Sequence, residues 1–209
     1  MKTFLFLAVL SLGLAAAPSC RADSGSEAPL VLAPHSRLWL TGTSTLHPYA
    51  STATVLSVTL RVPGAALRDA VLSGKAGGLD LDVPVSGLRS GEKLLDKKMR
   101  EALKAGAAPD IRFHMASYEA KAAAQGDGIE VEAAGTLSIA GRERPVTIDA
   151  EAKPVAGGLE ISGSRSLLMS DFGVTPPKLF FGTLKVNDTV VVRFDITLMR
   201  SPGRDGRTQ

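Results

Sequence analysis

Apolar and polar residues alternate with a period of two along most of the chain. The clearest run is Val190–Leu198, where every even position is apolar and Arg193, Asp195 and Thr197 point the other way. Similar runs occur near residues 37–41, 56–62, 79–85, 111–115, 129–139, 146–150 and 159–161. About eight strands that are apolar on one face are typical of an antiparallel barrel or sandwich. The pattern therefore predicts an all-β domain.

Helical periodicity is sparse. Leu95, Met99 and Leu103 form one apolar stripe, which predicts a helix near 92–105. We expect Ser90 to be its N-cap and Gly106 to end it.

Three shorter signals concern connections between the predicted strands. The segment Ala65–Leu72 predicts a second short helical turn, and Gly141–Pro145 predicts the loop of a hairpin. Ala134 and Gly135 interrupt an apolar run, so we expect a β-bulge there.

The N-terminus has the layout of a secretory signal peptide. Lys2 precedes an apolar stretch from Phe4 to Ala17, and small residues follow up to Ala22. We predict cleavage after Ala22 and a bacterial periplasmic or secreted product without a stable transmembrane segment. The alternative is a lipid anchor on Cys20, although Ala17 and Pro18 are a poor lipobox.

The rest of the chain reads as a single domain. Residues 23–34 are rich in Ser, Gly, Glu, Ala and Pro and predict a flexible leader. The domain itself is expected over 35–199, with a disordered tail over 200–209.

Charge and cysteine content exclude several classes of function. The full chain carries 24 basic and 21 acidic residues, and loss of Lys2 and Arg21 leaves 22 basic residues. So small an excess argues against a nucleic-acid-binding surface. A single cysteine excludes a disulfide scaffold and any multi-cysteine metal site.

Candidate catalytic and metal-binding side chains are few. His35, His47 and His114 are scattered, without the spacing of metal ligands, so we expect no metal site and no cofactor. Ser44 and His47 are close in sequence, but no nucleophile elbow and no orienting acid accompany them. We therefore expect no enzyme activity. His47 remains a candidate for orienting a polar headgroup, because hydroxyl side chains surround it.

Five motifs, taken in order, resemble those of one protein family. They are Leu40–Tyr49, Ser86–Gly91, Pro109–Phe113, Gly135–Gly141 and Ser170–Val174. Together they resemble the YceI-like family, which comprises periplasmic lipocalin-like barrels associated with polyisoprenoids and other amphiphilic lipids. The resemblance extends from about residue 35 to residue 199. It implies an antiparallel eight-stranded barrel with one or two short helices.

The resemblance and the alternation together predict a binding protein. We expect a periplasmic carrier for an isoprenoid or other long-chain amphiphilic lipid, held in the barrel interior. The alternative is a packed barrel without ligand that acts in envelope interactions or stress. Whether protomers form a homodimer stays open.

The candidate lining follows from the apolar faces of the strands. It consists of Leu38, Leu40, Val58, Leu60, Phe113, Met115, Leu137, Ile139, Phe194 and Ile196. Phe172, Phe180 and Phe181 are expected near one end. The apolar, proline-containing segment Gly173–Gly182 is expected to form a loop there that either plugs the barrel or surrounds its entrance.

Overall fold

The computed structural model describes residues 30–64, 66–176, 178–179 and 184–200. The predicted signal segment, Phe180, Phe181 and the residues after Arg200 lie outside these ranges. In chain order the elements are β1 (Leu30–Leu32), β2 (Arg37–Ser44), β3 (Pro48–Ala53), β4 (Ser57–Leu60), α1 (Leu67–Leu72), β5 (Leu79–Pro84), β6 (Leu88–Arg89), α2 (Lys93–Ala102), β7 (Asp110–Ala122), β8 (Ile129–Ile139), β9 (Arg142–Val155), β10 (Gly158–Leu168), β11 (Lys178–Leu179) and β12 (Leu184–Arg200). Short 3₁₀ turns cover Val85–Gly87 and Met169–Phe172.

The strands close into an antiparallel barrel with eight staves, where a stave is one strand position around the barrel wall. Three staves each contain two consecutive strands, namely β1 with β2, β3 with β4, and β5 with β6; β7, β8, β9, β10 and β12 supply the others. Strand β12 closes the ring, because it pairs with β10 along one edge and with β2 and β1 along the other. The predicted all-β, eight-stranded barrel is confirmed.

The junction between β1 and β2 is fastened to Thr197 of β12. The Ala33 amide donates to the Thr197 carbonyl at 2.8 Å, and the Ser36 hydroxyl accepts from the Thr197 amide at 3.0 Å. The ring of His35 lies 2.9 Å from the Thr197 hydroxyl. These bonds replace the ladder where the first stave is interrupted, which gives His35 a structural role.

The start of the barrel differs from the prediction. Leu30–Leu32, placed in the flexible leader on composition, form β1, and Leu30 is only 1% exposed. Arg200, expected to begin the tail, is the last residue of β12 and lies opposite Leu30. Burying Leu30 against Leu60 and closing the ring outweigh the leader's polar composition.

The predicted bulge lies on the neighbouring strand. Met115 of β7 is opposite Gly135 and Ser117 is opposite Ala134, so Ala116 is the extra residue. Strand β8 keeps one phase throughout, with its odd-numbered residues inward. In β7 the inward positions change from odd to even, which brings Tyr118 into the barrel.

The hairpin between β8 and β9 is tighter than predicted. Ile139 pairs with Arg142, so the loop is only Ala140 and Gly141, and the residues up to Pro145 already belong to β9. Both loop residues have positive φ, 52° and 77°, as a type I′ hairpin turn requires.

The two helices cover opposite ends of the barrel. Helix α1 lies between β4 and β5 and buries Leu67, Ala70 and Val71. Helix α2, between β6 and β7, is the helix predicted near 92–105; it begins at Lys93 and ends at Ala102, before Gly106. We call these the α1 end and the α2 end.

Ser90 does not cap α2 as expected. The N-cap is Glu92, which makes no side-chain capping bond. Instead the Ser90 amide and hydroxyl donate to Asp96 Oδ1 at 2.7 and 2.6 Å. Burial raises the pKa of Asp96, but the bonds from Ser90 and the nearby Arg89 and Arg100 outweigh it and lower that pKa below 3.8. The carboxylate thus ties the first turn of α2 to the chain leaving β6.

Candidate ligand cavity

The α1 end of the barrel is solidly packed. Val62, Ile129 and Leu198 have no exposed surface, and Leu159 is 1% exposed. They pack with the buried side chains of α1 in one cluster. This end therefore forms an apolar floor.

Above this floor the barrel is hollow. A cavity of about 280 Å³ occupies the middle and the α2 end. Inward residues that would be buried in a packed core, such as Leu40, Ile161 and Val192, are only partly buried because they face this space. The barrel thus combines a packed half with an open half.

Three aromatic rings lie against glycines of neighbouring strands. A Cβ on Gly163 would stand 2.6 Å from Phe194 Cζ, and one on Gly135 would stand 2.7 Å from Phe113 Cε2. A Cβ on Gly42 would likewise overlap the Tyr49 ring. Because each ring occupies the place of a missing side chain, it stays against the wall and leaves the centre open.

The α2 end is covered by two segments. Leu95, Met99 and Leu103 of the α2 segment line the cavity from above. The 3₁₀ turn Met169–Phe172 folds in beside them, and Phe172 is 2% exposed. Gly173 follows in the left-handed conformation with φ of 63°, which lets the chain leave this turn sharply.

All of the predicted lining residues that the structure describes border this cavity. They are Leu38, Leu40, Val58, Leu60, Phe113, Met115, Leu137, Ile139, Phe172, Phe194 and Ile196. Phe180 and Phe181 lie outside the described residues. Contact of these side chains with a ligand remains a prediction. Phe172 of the 3₁₀ turn and Val174 of the apolar loop are buried with Phe113 and Leu137.

His47 is exposed and does not border the cavity. Its Nδ1 lies 2.9 Å from the Pro48 carbonyl, and the Ser44 hydroxyl donates to the His47 backbone carbonyl at 2.7 Å. The Ser44 hydroxyl therefore serves the turn between β2 and β3 and does not contact the imidazole. A headgroup role for His47 remains a prediction without a structural contact to support it.

The other histidine and the acidic side chains form no metal centre in the described ranges. His114 Nδ1 lies 2.7 Å from Asp80 Oδ1 on the exposed outer face. Within the part of the chain that the structure describes, no three His, Cys, Asp or Glu side chains gather as metal ligands. The described helices include none that is long and apolar enough to cross a membrane.

Among the described residues, four polar side chains border the cavity, and the sequence prediction includes none of them. Tyr118 is satisfied, because its hydroxyl donates to the Val71 carbonyl and accepts from the Ala76 amide, both at 3.0 Å. Tyr49, Ser51 and Arg165 are the others. Burial raises the pKa of the Tyr49 hydroxyl. The signal for Arg165 is present in the sequence, since it takes an inward place in the series Leu159, Ile161, Gly163, Arg165, Leu167.

Comparison with known proteins decides the family. The model of the YceI-like domain matches residues 34–198. The chain belongs to the YceI-like family. No curated protein matches it in sequence.

Solved structures share the fold of this YceI-like protein at low sequence identity. BcnA from Burkholderia cenocepacia is 17% identical with a TM-score of 0.62, and the alignment covers 78% of this chain and 95% of BcnA. A polyisoprenoid-binding domain from Saccharophagus degradans, implicated in plant cell wall breakdown, is 15% identical with a TM-score of 0.64, covering 83% and 99%. The YceI protein of Campylobacter jejuni is 18% identical with a TM-score of 0.56, covering 73% and 85%.

Proposed function

We propose that this YceI-like protein carries an isoprenoid or other long-chain amphiphilic lipid in its barrel, in the periplasm. The observation that carries the proposal is the cavity of about 280 Å³ with an almost wholly apolar lining. An apolar cavity of about 150 Å³ is already enough to take up benzene. The larger space here suits a hydrocarbon chain better than a compact polar metabolite.

The energetics favour a long apolar ligand. Each buried CH₂ group contributes about 0.8 kcal/mol, so ten of them would contribute roughly 8 kcal/mol before the costs of association. Such binding requires no catalytic group. The structural relative from Saccharophagus degradans, described as a polyisoprenoid-binding domain, supports the same ligand class.

The packed-barrel alternative describes only part of this molecule. The α1 end has the close packing that the alternative requires, but Leu40, Ile161 and Val192 face open space in the middle. The periplasmic location rests on the predicted signal segment 1–22, which lies outside the described residues.

A filled-cavity variant tests the proposal. Ala150 lines the cavity on β9, whereas Asp149 beside it is exposed on the outer face. Ala150→Phe should lower the affinity for geranylgeraniol, measured by calorimetry, by at least about tenfold, because the new ring occupies ligand space. Asp149→Phe adds the same ring outside and should leave the affinity unchanged. Unaltered binding in Ala150→Phe, with the variant folded, would contradict lipid binding in the barrel.

A further inference from the structure

Arg165 is the one charged side chain among the described residues that line the cavity. Register places it on the inner face, because it lies opposite Val192, whose side chain also borders the cavity. Its neighbours Gly163 and Leu167 are half-buried on the same face, whereas Arg165 itself is exposed. Arg165 therefore borders the apolar space and also reaches solvent.

No group of the described residues pairs with this guanidinium. Two arginines on the outer face have carboxylate partners, Arg37 with Asp195 at 2.8 Å and Arg112 with Asp82 at 3.0 Å. In the described ranges Arg165 has no hydrogen bond and no ion pair, and the lining contains no carboxylate. The charge of Arg165 is therefore available to something that enters the barrel.

Strand β9 does not pair with the part of β10 that contains Arg165. Strand β9 pairs with β10 only as far as Ala150 opposite Gly163, and residues 164–168 of β10 continue without a β9 partner. Had the pairing continued, Arg165 would lie beside Ile148, which borders the cavity. Arg165 thus lies beyond the point where the pairing of β9 with β10 ends, next to a space lined by apolar side chains.

We propose that Arg165 binds the anionic headgroup of the lipid. The ligand class is then an amphiphile that ends in a phosphate or a carboxylate, the two groups whose oxygens accept paired bonds from a guanidinium. The apolar tail occupies the cavity between this site and the packed floor at the α1 end. This inference rests on the proposed function, since it assigns the headgroup of the same ligand.

The test compares three ligands with one tail. Geranylgeranyl monophosphate, geranylgeranoic acid and geranylgeraniol share a C20 isoprenoid chain and differ in the headgroup. The wild-type protein should bind at least one of the two anions about tenfold or more tighter than the alcohol, because hydrogen bonds to charged groups are the strong ones. Comparison of the two anion affinities shows whether the site prefers a phosphate or a carboxylate.

Variants assign that preference to Arg165. Arg165→Gln should remove the preference for the anion over geranylgeraniol, measured as the ratio of the two affinities, and Arg165→Lys should retain part of it. The control is Arg193→Gln, since Arg193 lies opposite Ser164 on the outer face and donates to the Thr41 hydroxyl at 2.8 Å. This control should behave as wild type.

The outcomes separate the two proposals. Equal wild-type affinity for all three ligands overturns the headgroup site but leaves lipid binding intact. A preference that survives in Arg165→Gln also overturns it. If geranylgeraniol and both anions fail to bind the folded wild-type protein, the proposed function itself fails, and the headgroup site fails with it.

Discussion

The ring of Phe194 on β12 lies where a side chain on Gly163 of β10 would otherwise stand. The two residues are direct partners in the ladder, and a Cβ on Gly163 would be 2.6 Å from Phe194 Cζ and 2.6 Å from the Asp149 carbonyl oxygen. A glycine at this position keeps the large ring against the wall. The cavity depends on this pair as much as on the apolar lining.

We therefore expect Gly163→Ala to destabilise the barrel. The added methyl group would overlap both the ring and a backbone oxygen, which cannot move freely, so the free energy of unfolding should fall by about 1–3 kcal/mol. Urea unfolding measures this change. Gly78→Ala is the control, because nothing lies within 4 Å of its new Cβ and its φ is not positive. Equal stability of the two variants would refute the role of the Phe194–Gly163 pair.

Gly42→Ala should act on ligand binding more than on stability. The nearest atoms to its new Cβ all belong to the Tyr49 ring, a side chain that can turn away from the wall. The displaced ring would enter the cavity, so we expect a loss of about 3- to 30-fold in affinity for a C20 isoprenoid, by analogy with the cost of overpacking a core. The double variant Gly42→Ala/Tyr49→Ala should recover affinity. Failure of this rescue would show that Tyr49 does not limit the space.

Leu30 tests whether β1 belongs to the barrel. It is 1% exposed and packs in the floor, whereas Val31 beside it is 44% exposed. Leu30→Ala should lower the free energy of unfolding by about 2–5 kcal/mol, the usual cost of truncating a buried leucine. Val31→Ala should cost well under half as much. Similar small losses in both variants would return residues 30–34 to a flexible leader.

Asp96 should make part of the stability dependent on pH. Its pKa is lower in the folded protein than its ordinary value of 3.8, so its ionised form stabilises the fold. That contribution is present in full above about pH 3.8 and is lost as the pH falls through the lowered folded value. The difference in free energy of unfolding between wild type and Asp96→Asn should shrink over that range. A difference that stays constant with pH would contradict the role of the carboxylate.

Period-two alternation predicts which face of each strand points inward. This rule alone places several residues that border the cavity on the inner face, namely Val58, Leu60, Phe113 and Ile196. Alternation is a local property of each strand and is the same in a barrel and in a sandwich. The family motifs are needed to choose the barrel.

Other features depend on relations between distant segments. A packed floor and an open middle require the same apolar inward residues, so the pattern at Leu40 cannot be distinguished from that at Leu198. The difference arises from ring placement on glycines and from the position of α1. Leu30 escapes prediction because its partner is Arg200, at the far end of the domain. Arg165 is visible in the alternation, but its lack of a partner only emerges once the lining is assembled.

The most direct test of the account is intact-protein mass spectrometry on the protein purified from its own host, followed by extraction with organic solvent. We predict one isoprenoid or other long-chain amphiphile per chain, released by the solvent and carrying a phosphate or carboxylate. A protein that is free of lipid after gentle purification, and that also fails to take up an offered panel of isoprenoids and fatty acids, would contradict the claim that the cavity is a lipid site.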